Sequence, residues 1–187
     1  MRDLIGLVLL GGRSRRMGKD KAWISYHQQP QWLHCINLLQ AAGIQKAFLS
    51  GQVDQKALYP EDILWLSDPH LDEGPMGGIL HALMENHDQA VLSIPVDMPA
   101  VKPHTIQRLI GARVPEKAAT VFRLPKPGYI HPLLAIWEPH ILPDMKRAWQ
   151  QGQRSPRRFL QSQSIHIVSG LPDAEAKNVN RPDDWPT

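Results

Sequence analysis

The chain has 187 residues, of which 42% are hydrophobic and 21% are charged. This length and composition suit one globular domain, 1–187, and exclude a membrane-spanning protein, since no apolar run approaches the length that a bilayer requires. The formal net charge of +3 is too modest for an extended nucleic-acid surface and fits a small anionic substrate at a local basic site.

The first predicted element is a buried strand over residues 4–10, which follows the N-terminus directly, so we expect no signal peptide and a cytoplasmic protein. Gly11 and Gly12 then allow a sharp turn and leave backbone amides open to an anion. Because like charges this close repel one another, a polyphosphate is the simplest ligand for the cationic loop that follows. Its cationic side chains are Arg13, Arg15, Arg16, Lys19 and Lys21.

Two well-known phosphate loops do not match this segment. A Walker A loop needs a shorter spacing than the five residues between Gly12 and Gly18, and Asp20 stands where its hydroxyl would be. The dinucleotide fingerprint G-x-G-x-x-G fails because Gly11 and Gly12 are adjacent. The segment is therefore a different phosphate loop or a solvated basic turn, and the preceding buried strand and paired glycines favour the phosphate loop.

A helix is predicted over residues 30–42 from the spacing of its apolar residues. Cys35, the single cysteine, lies in its apolar stripe, so we expect a small buried thiol and neither a disulfide nor a zinc site. Short strands follow at 46–50 and 63–66, and the second runs into Asp68. Alternating strands and helices predict right-handed βαβ units and a mainly parallel sheet.

The glycine-rich segment 74–78 precedes a helical pattern at residues 79–84. Such an entry exposes the first amides of a helix and their partial positive charge, although the segment taken alone is equally consistent with a plain tight turn. The strand at 90–94 must end at Pro95, because proline cannot donate to a sheet ladder.

Asp97 is consequently expected at the carboxyl edge of a central strand, where open α/β sheets bind their ligands. One carboxylate in that position is sufficient for Mg²⁺, which takes its other ligands from phosphates and water. Taken alone, an aspartate at a strand end is more often a cap for the following turn.

The rest of the chain predicts helices at 103–112, 139–150 and 156–161 and strands at 118–122 and 165–169. His131 stands before a proline and an apolar run, which by itself is typical of a structural turn residue. Arg154 belongs to a second basic cluster, which either contacts an anionic substrate or is a solvated helix start. Asn178 and Asn180 alternate on an extended segment, so both side chains project to one face.

Four motifs in this order resemble those of the molybdenum cofactor guanylyltransferases, the MobA-like nucleotidyltransferases. Residues 9–21 are similar to L-A-G-G-x-S-x-R-M-G-x-D-K, with Leu10 in place of alanine, and residues 95–99 to P-x-D-x-P. Residues 74–78 are similar to G-P-L-x-G, with Met76 in place of leucine. Residues 178–184 are similar to N-x-N-T-P-E-D, with Arg181 and Asp183 in place of threonine and glutamate.

This resemblance implies a three-layer α/β/α, Rossmann-like nucleotidyltransferase fold with a mainly parallel central sheet. It also implies Mg²⁺-dependent transfer of GMP from GTP to molybdenum-bound molybdopterin, with release of pyrophosphate. The amides of Gly11 and Gly12 and the side chain of Arg16 would hold the phosphates. Lys21 would stabilise charge near the α-phosphate, and Asp97 would hold the metal.

The resemblance implies Arg16, Lys21 and Asp97 as catalytic residues. Asp68, which is equally consistent with a turn cap, would contact the nucleoside together with Gln52. Further nucleotide contacts are implied at Leu9, Leu10 and Gly77, and contacts with the pterin substrate at His131, Arg154, Asn178 and Asn180. For the two asparagines, contacts with the metal-bound phosphates are the alternative.

The implied partners are GTP and Mo-molybdopterin, together with molybdopterin-transfer proteins and apo-molybdoenzymes, but no nucleic acid and no membrane. We expect a monomer or a weak oligomer. Two alternatives of the same class are a cytidylyltransferase acting on the same cofactor and a sugar-phosphate nucleotidyltransferase. Two of other classes are a catalytically silent protein that binds and delivers a nucleotide or cofactor, and a small basic RNA-binding protein. The intact Lys21 and Asp97 argue against the silent protein.

Overall fold

A computed structural model describes residues 3–11, 20–68, 74–124 and 129–179. These ranges contain seven strands, which form one sheet in the order β3-β2-β1-β4-β6-β5-β7. In chain order the strands are β1 Leu4–Leu9, β2 Ala47–Gly51, β3 Trp65–Ser67, β4 Ala90–Pro95, β5 Ala119–Arg123, β6 Ile130–Trp137 and β7 Ile165–Val168.

The α-helices are α1 Gln31–Ala41, α2 Met76–Glu85, α3 Pro103–Gly111, α4 Leu142–Gln150 and α5 Pro156–Gln161. Short 3₁₀ turns occur at Lys21–Trp23, Val53–Leu58 and Pro139–Ile141. Within the described part of the chain, none of the helices combines the length and the apolar character that a membrane crossing requires.

The helices cover both faces of the sheet, as the three-layer prediction requires. Leu4 and Val8 of β1 join one core cluster with residues of α1 and α3, whereas Ile5 and Leu7 join a second cluster with residues of α2, α4 and α5. A strand that is buried on both faces has apolar residues at successive positions, which explains why β1 is one continuous apolar run. Cys35 is a fully buried free thiol in the first cluster, as predicted.

The prediction of a mainly parallel sheet is confirmed. β1 is parallel to β2 and β4, β2 is parallel to β3, and β5 is parallel to β7. β6 runs antiparallel to both of its neighbours, β4 and β5. β5 ends at Arg123 and β6 begins at Ile130. That connection is too short for the crossover that a parallel pair needs.

Most predicted elements differ from the observed ones by at least one residue at an end, and the helical pattern at 79–84 begins earlier, at Met76. Local contacts explain the shift of the third strand, and the last long helix begins in a different conformation from the one predicted. The third strand was expected at 63–66 but is Trp65–Ser67, because the amide of Ile63 donates to Pro60 in a turn and pairing with β2 begins only at Trp65. The helix expected at 139–150 begins as the 3₁₀ turn Pro139–Ile141 and becomes α-helical at Leu142.

The carboxyl ends of four neighbouring strands meet at one edge of the sheet. Leu9 of β1 is level with both Ser50 of β2 and Pro95 of β4, and Gly51 is level with Ser67 of β3. The residues that follow these strands therefore emerge side by side. This edge holds the candidate site.

Candidate active site

A cleft of ≈ 260 Å³ opens at this edge of the sheet. It brings together the end of β1, the last cation of the predicted phosphate loop and the predicted acidic residue, which are far apart in the sequence. The described residues that line it are Leu9, Leu10, Gly11, Asp20, Lys21, Asp68, Gly74, Pro75, Pro95, Val96, Asp97 and Leu133.

Asp97 lies at the carboxyl end of β4, where the amide of Val96 donates to the carbonyl of Leu9 at 3.0 Å. Its side chain is 21% exposed, and Nζ of Lys21 lies 3.8 Å from its Oδ2. The amide Nδ2 of Asn178 donates to the same Oδ2 at 3.4 Å, and the amide of Val179 donates to the Asp97 carbonyl at 2.7 Å. The carboxylate is thus held through one oxygen at the floor of the cleft.

The other carboxylate oxygen, Oδ1, is buried and has no hydrogen-bond partner among the described residues. Burial raises the pKa of Asp97 above its usual value, and the opposing effect of the Lys21 charge does not offset it. A buried oxygen without a donor costs free energy, so binding of a cation or a hydrogen-bond donor at this atom would be stabilising.

A divalent cation suits this oxygen. Mg²⁺ prefers oxygen ligands and commonly takes one or two carboxylates, with substrate phosphates and waters completing its shell. The described residues contain no group of three or more acidic, histidine or cysteine side chains that would hold an ion alone. Asp97 Oδ1 fits a cation that arrives with a phosphate ligand.

Lys21 is the first residue of its 3₁₀ turn, and the preceding Asp20 caps that turn by accepting a hydrogen bond from the amide of Ala22 at 3.0 Å. Gln55, which the sequence analysis missed, donates to Asp20 at 3.4 Å and accepts from the amide of Gln52 at 2.8 Å. The three-residue spacing of Gln52 and Gln55 is a capping-box signal, which predicts the hydrogen bond between these two residues. Gln55 therefore ties the end of β2 to the base of Lys21.

Two glycines shape the wall of the cleft. Gly11 has a φ of +80°, a left-handed conformation that favours glycine, and it turns the chain away from β1. A Cβ on Gly78 would lie 2.6 Å from Oγ of Ser50 and 3.1 Å from Leu9, so only glycine lets the start of α2 pack this closely on the strand ends. The helix N-terminus, with its partial positive charge, consequently meets the cleft through Gly74 and Pro75.

The other residues predicted to contact the nucleotide differ in whether they line the cleft. Asp68 lines the cleft and is 1% exposed, and its amide donates to the carbonyl of Gly51 at 2.8 Å. Gln52 follows β2 but is not among the lining residues, and Gly77 lies buried in the first turn of α2 with its amide directed to Gly74 at 3.3 Å. The role of these residues toward a nucleotide stays a prediction.

The residues predicted to contact the pterin substrate also differ in their burial and in their partners. His131 is buried in β6, where its Nδ1 accepts a hydrogen bond from the amide of Leu134 at 3.0 Å. Burial lowers the pKa of His131 to about 4, and a hydrogen bond with the side chain of Asn178 acts in the opposite direction. Arg154 stacks on Trp149 with its guanidinium carbon 3.8 Å from the ring centre, and its carbonyl lies beside Gly74. The side chain of Arg154 is not among those that line the cleft.

Gly12, Arg16 and Asn180 lie outside the described residues. Their predicted roles stay predictions.

Known proteins are similar to this chain over most of its length. A family model for the MobA-like NTP transferase domain matches residues 6–167. A molybdenum cofactor biosynthesis bifunctional protein from Synechocystis is 32% identical over 97% of this chain and 52% of its own length. This chain thus spans about half the length of that bifunctional relative.

A probable molybdenum cofactor guanylyltransferase from Flavobacterium johnsoniae is 27% identical over 98% of this chain and 95% of its own length. Among solved structures, the molybdopterin-guanine dinucleotide biosynthesis protein A from Archaeoglobus fulgidus superposes with a TM-score of 0.74. It is 22% identical, and the match covers 96% of this chain and 93% of that chain. At this identity the structural likeness supports the fold alone.

Proposed function

The chain belongs to the MobA-like NTP transferase family, and from this premise we propose that it is a molybdenum cofactor guanylyltransferase. In the proposed reaction, the terminal phosphate of molybdenum-bound molybdopterin attacks the α-phosphorus of GTP. A new oxygen–phosphorus bond forms, the bond to the β-phosphate breaks, and pyrophosphate leaves. The product is a guanine dinucleotide of the pterin.

One observation carries the proposal: Asp97 and Lys21 line the cleft as an ion pair 3.8 Å apart, and the carboxylate oxygen Oδ1 has no hydrogen-bond partner among the described residues. A fully paired structural ion pair leaves no such atom. A cation and an ammonium group side by side are what a polyphosphate needs in order to be bound and to react.

We propose that Asp97 holds the Mg²⁺ of the reaction through Oδ1. The ion, when bound, neutralises charge on the nucleotide phosphates and on the attacking phosphate group. Lys21 contributes the second positive charge, and Gln55 and Asp20 keep its turn in place. Phosphoryl transfer needs little covalent help from a protein, so positioning and charge neutralisation are the main contributions of these side chains.

The backbone contributes the remaining positive potential. Gly11 lines the cleft in its left-handed turn, and the N-terminus of α2 meets the cleft beside Pro75. Both features favour the binding of anionic phosphate groups. We propose that the amide of Gly12 and the side chain of Arg16 complete this phosphate-binding surface.

The nucleoside is proposed to lie toward Asp68, with Leu9, Leu10, Gln52 and Gly77 near it. Asp68 is buried yet lines the cleft, which suits a carboxylate that accepts hydrogen bonds from a base or ribose. The pterin is proposed to bind on the side of Asp97, with contacts from Arg154, Asn178 and Asn180 and with His131 behind them.

The proposed setting of the reaction is the cytoplasm, where the donor GTP is made. Molybdopterin-transfer proteins and apo-molybdoenzymes are the proposed protein partners, since they would supply the substrate and accept the product.

The test is product formation from Mo-molybdopterin and each of GTP, CTP, ATP and UTP, with Mg²⁺ and with the metal removed by EDTA. We expect pyrophosphate and a pterin guanine dinucleotide from GTP alone, and only when Mg²⁺ is present. Turnover of CTP in preference to GTP would assign the chain to the cytidylyltransferases instead. No turnover of any nucleotide would contradict an enzymatic role.

A further inference from the structure

Residues 96–102 connect β4 to α3 and include Asp97. The start of this loop is attached to β1, because the amide of Val96 donates to the carbonyl of Leu9 at 3.0 Å. Further attachments come from the segment 171–179, which follows β7 in the chain. Both ends of this segment are packed into the protein, since Leu171 and Val179 are 5% exposed.

The first attachment to this segment is at Asp97 itself. The amide of Val179 donates to the Asp97 carbonyl at 2.7 Å, and Nδ2 of the neighbouring Asn178 donates to the carboxylate oxygen Oδ2 at 3.4 Å. The segment therefore bonds both the backbone and the side chain of Asp97. The other carboxylate oxygen, Oδ1, has no hydrogen-bond partner among the described residues.

The second attachment is at the far end of the loop, where α3 begins. Oε2 of Glu175 accepts hydrogen bonds from Oγ1 of Thr105 at 2.6 Å and from the amide of Lys102 at 3.1 Å. Lys102 is the N-cap residue of α3, and its own side chain forms no capping hydrogen bond. Glu175 thus satisfies the amide that a capping box would satisfy from within the helix. Glu175 is 3% exposed and Thr105 is fully buried, so these bonds form away from solvent.

Both ends of the stretch 97–102 are consequently bonded to residues 175–179. We propose that Glu175 is a positioning residue for the metal site: it holds the segment on α3, so that Asn178 stays bonded to Oδ2 of Asp97 and Oδ1 is left for the divalent cation. This inference rests on the proposed function, because the cation is part of that proposal.

Substitutions at both partners of the buried hydrogen bond isolate its contribution. The amide oxygen of glutamine accepts hydrogen bonds, so Glu175→Gln keeps an acceptor for Thr105 and Lys102, whereas Glu175→Leu removes it. Thr105→Ser keeps the hydroxyl donor, and Thr105→Val keeps the shape of the side chain without the donor. A purely structural role for Glu175 predicts changes in the free energy of unfolding alone, with unchanged metal affinity in the folded variants.

Arg108 provides a control on the same segment. It lies in α3 and donates to the carbonyl of Ser169 at 2.8 Å and to that of Gly170 at 2.9 Å. These bonds hold the segment at the end opposite to Asn178. Arg108→Ala therefore loosens the segment without removing a bond to residues 97–102.

The experiment measures Mn²⁺ binding to the full chain in the presence of GTP, from the loss of the free Mn²⁺ signal in EPR spectra. We expect Glu175→Leu to weaken Mn²⁺ binding by about 10–100-fold, the usual cost of losing a group that orients a metal ligand. Thr105→Val, which keeps the bond from the Lys102 amide, should show a smaller loss. The variants Glu175→Gln, Thr105→Ser and Arg108→Ala should bind Mn²⁺ nearly as the wild type does.

Urea unfolding of each variant checks that it is folded under the conditions of the binding measurement. If Glu175→Leu is unfolded, the comparison of Thr105→Val with Thr105→Ser carries the test. Equal weakening in Glu175→Gln and Glu175→Leu would overturn the positioning role, because the acceptor would then be irrelevant. A loss in Arg108→Ala as large as that in Glu175→Leu would also overturn it, because any loosening of the segment would then have the same effect.

Asp97→Asn separates a failure of the positioning role from a failure of the proposed function. If Asp97→Asn loses Mn²⁺ binding while folded Glu175→Leu and Thr105→Val bind it as the wild type does, the positioning role is wrong and the metal site stands. If Asp97→Asn itself binds Mn²⁺ like the wild type, the proposed metal site is wrong and the role of Glu175 fails with it.

Discussion

Two ion pairs at opposite edges of the sheet differ in how completely their charges are satisfied. Arg113 donates to both carboxylate oxygens of Glu138, at 2.7 and 2.8 Å, and to Asp3 at 2.8 Å. Lys21 approaches one oxygen of Asp97 at 3.8 Å, and the other oxygen has no hydrogen-bond partner among the described residues.

The pKa shifts of the two pairs reflect this difference. The hydrogen bond with Glu138 raises the pKa of Arg113, and the hydrogen bond with Arg113 lowers the pKa of Asp3. At the cleft, burial raises the pKa of Asp97 despite the nearby lysine. In the pair of Arg113 and Glu138, every charged group has its hydrogen-bond partners without a ligand, so this pair serves the fold. In the pair of Lys21 and Asp97, one carboxylate oxygen lacks a partner and both residues line a cleft, as expected of a binding site.

The largest expected effect is on activity, at the pair of Lys21 and Asp97. Asp97→Ala should reduce turnover of GTP and Mo-molybdopterin by at least about 10³-fold, or about 4 kcal/mol, because the metal loses its protein carboxylate. The free energy of unfolding should stay nearly constant or rise, since a buried and poorly paired carboxylate is removed. Pyrophosphate release and urea unfolding measure the two quantities, and a fully active variant would remove the metal role of Asp97.

The next effect is on stability, at the pair of Arg113 and Glu138. Glu138→Gln should lower the free energy of unfolding by about 3–5 kcal/mol, because it leaves the Arg113 charge poorly paired where it is largely buried. Asp3→Asn is the matched control: Asp3 is 62% exposed, so its pair with Arg113 should contribute no more than about 1 kcal/mol. Turnover per folded molecule should be unchanged in both variants. A loss of activity in folded Glu138→Gln would break the distinction between the two pairs.

Lys21→Ala tests the cationic partner in the cleft. Turnover should fall by about 10²–10³-fold, or about 2.7–4 kcal/mol, as expected when a positioned charge is lost. Stability should change by less than about 1 kcal/mol, since the pair is loose and partly exposed. Lys46→Ala is the control, because Lys46 bonds Asn86 away from the cleft, and it should keep full turnover. If Lys21→Ala raises only the KM for GTP, Lys21 is a binding residue alone.

The smallest effect is the pH dependence of stability in metal-free buffer. The pKa of Asp97 is raised from 3.8 in the folded state, so its charge destabilises the protein at neutral pH. That cost disappears as the pH falls through the raised pKa. Asp97→Asn should thus be at least as stable as the wild type at pH 7, with the difference vanishing in acid.

The charge of Asp3 should contribute to the free energy of unfolding with the opposite sign. Its pKa is lowered from 3.8 in the folded state, so it stabilises the protein above that value and loses the contribution as the pH falls below it. Asp3→Asn should be less stable than the wild type at pH 7, and the two should converge below pH 3.8. Urea unfolding between neutral pH and pH 3 measures both series, and the same sign in both would contradict the comparison.

Local patterns in the sequence predicted most of the fold. β1 and β4 are buried on both faces, so their residues are apolar at almost every position, with Ser93 the polar exception in β4. The paired glycines after β1 and Pro95 at the end of β4 indicated where these strands end. The predicted helix 156–161 coincides with α5, because Ser155 caps it and Pro156 begins it. Asp97 was placed correctly at the cleft because a strand end fixes the edge of the sheet at which a residue emerges.

The partners of the site residues were not predictable in the same way. Asn178 and Asp97 are 81 positions apart, Glu175 and Thr105 are 70 apart, and Gln55 and Asp20 are 35 apart. No periodicity or turn signal specifies contacts across such distances, because they depend on how separate elements pack. His131 shows the consequence: taken alone, the sequence indicated a turn residue, whereas the structure places it in β6, where its Nδ1 accepts a hydrogen bond from the amide of Leu134.

The most direct test of the central claim is a thermal-unfolding panel with GTP, CTP, ATP and UTP, each with and without Mg²⁺, on the wild type and on Asp97→Asn. A ligand that binds the folded state raises its melting temperature. We expect the largest rise with GTP and Mg²⁺ in the wild type, and loss of the Mg²⁺-dependent part of that rise in Asp97→Asn. An equal response to GTP and Mg²⁺ in both proteins, or no response to any nucleotide, would contradict it.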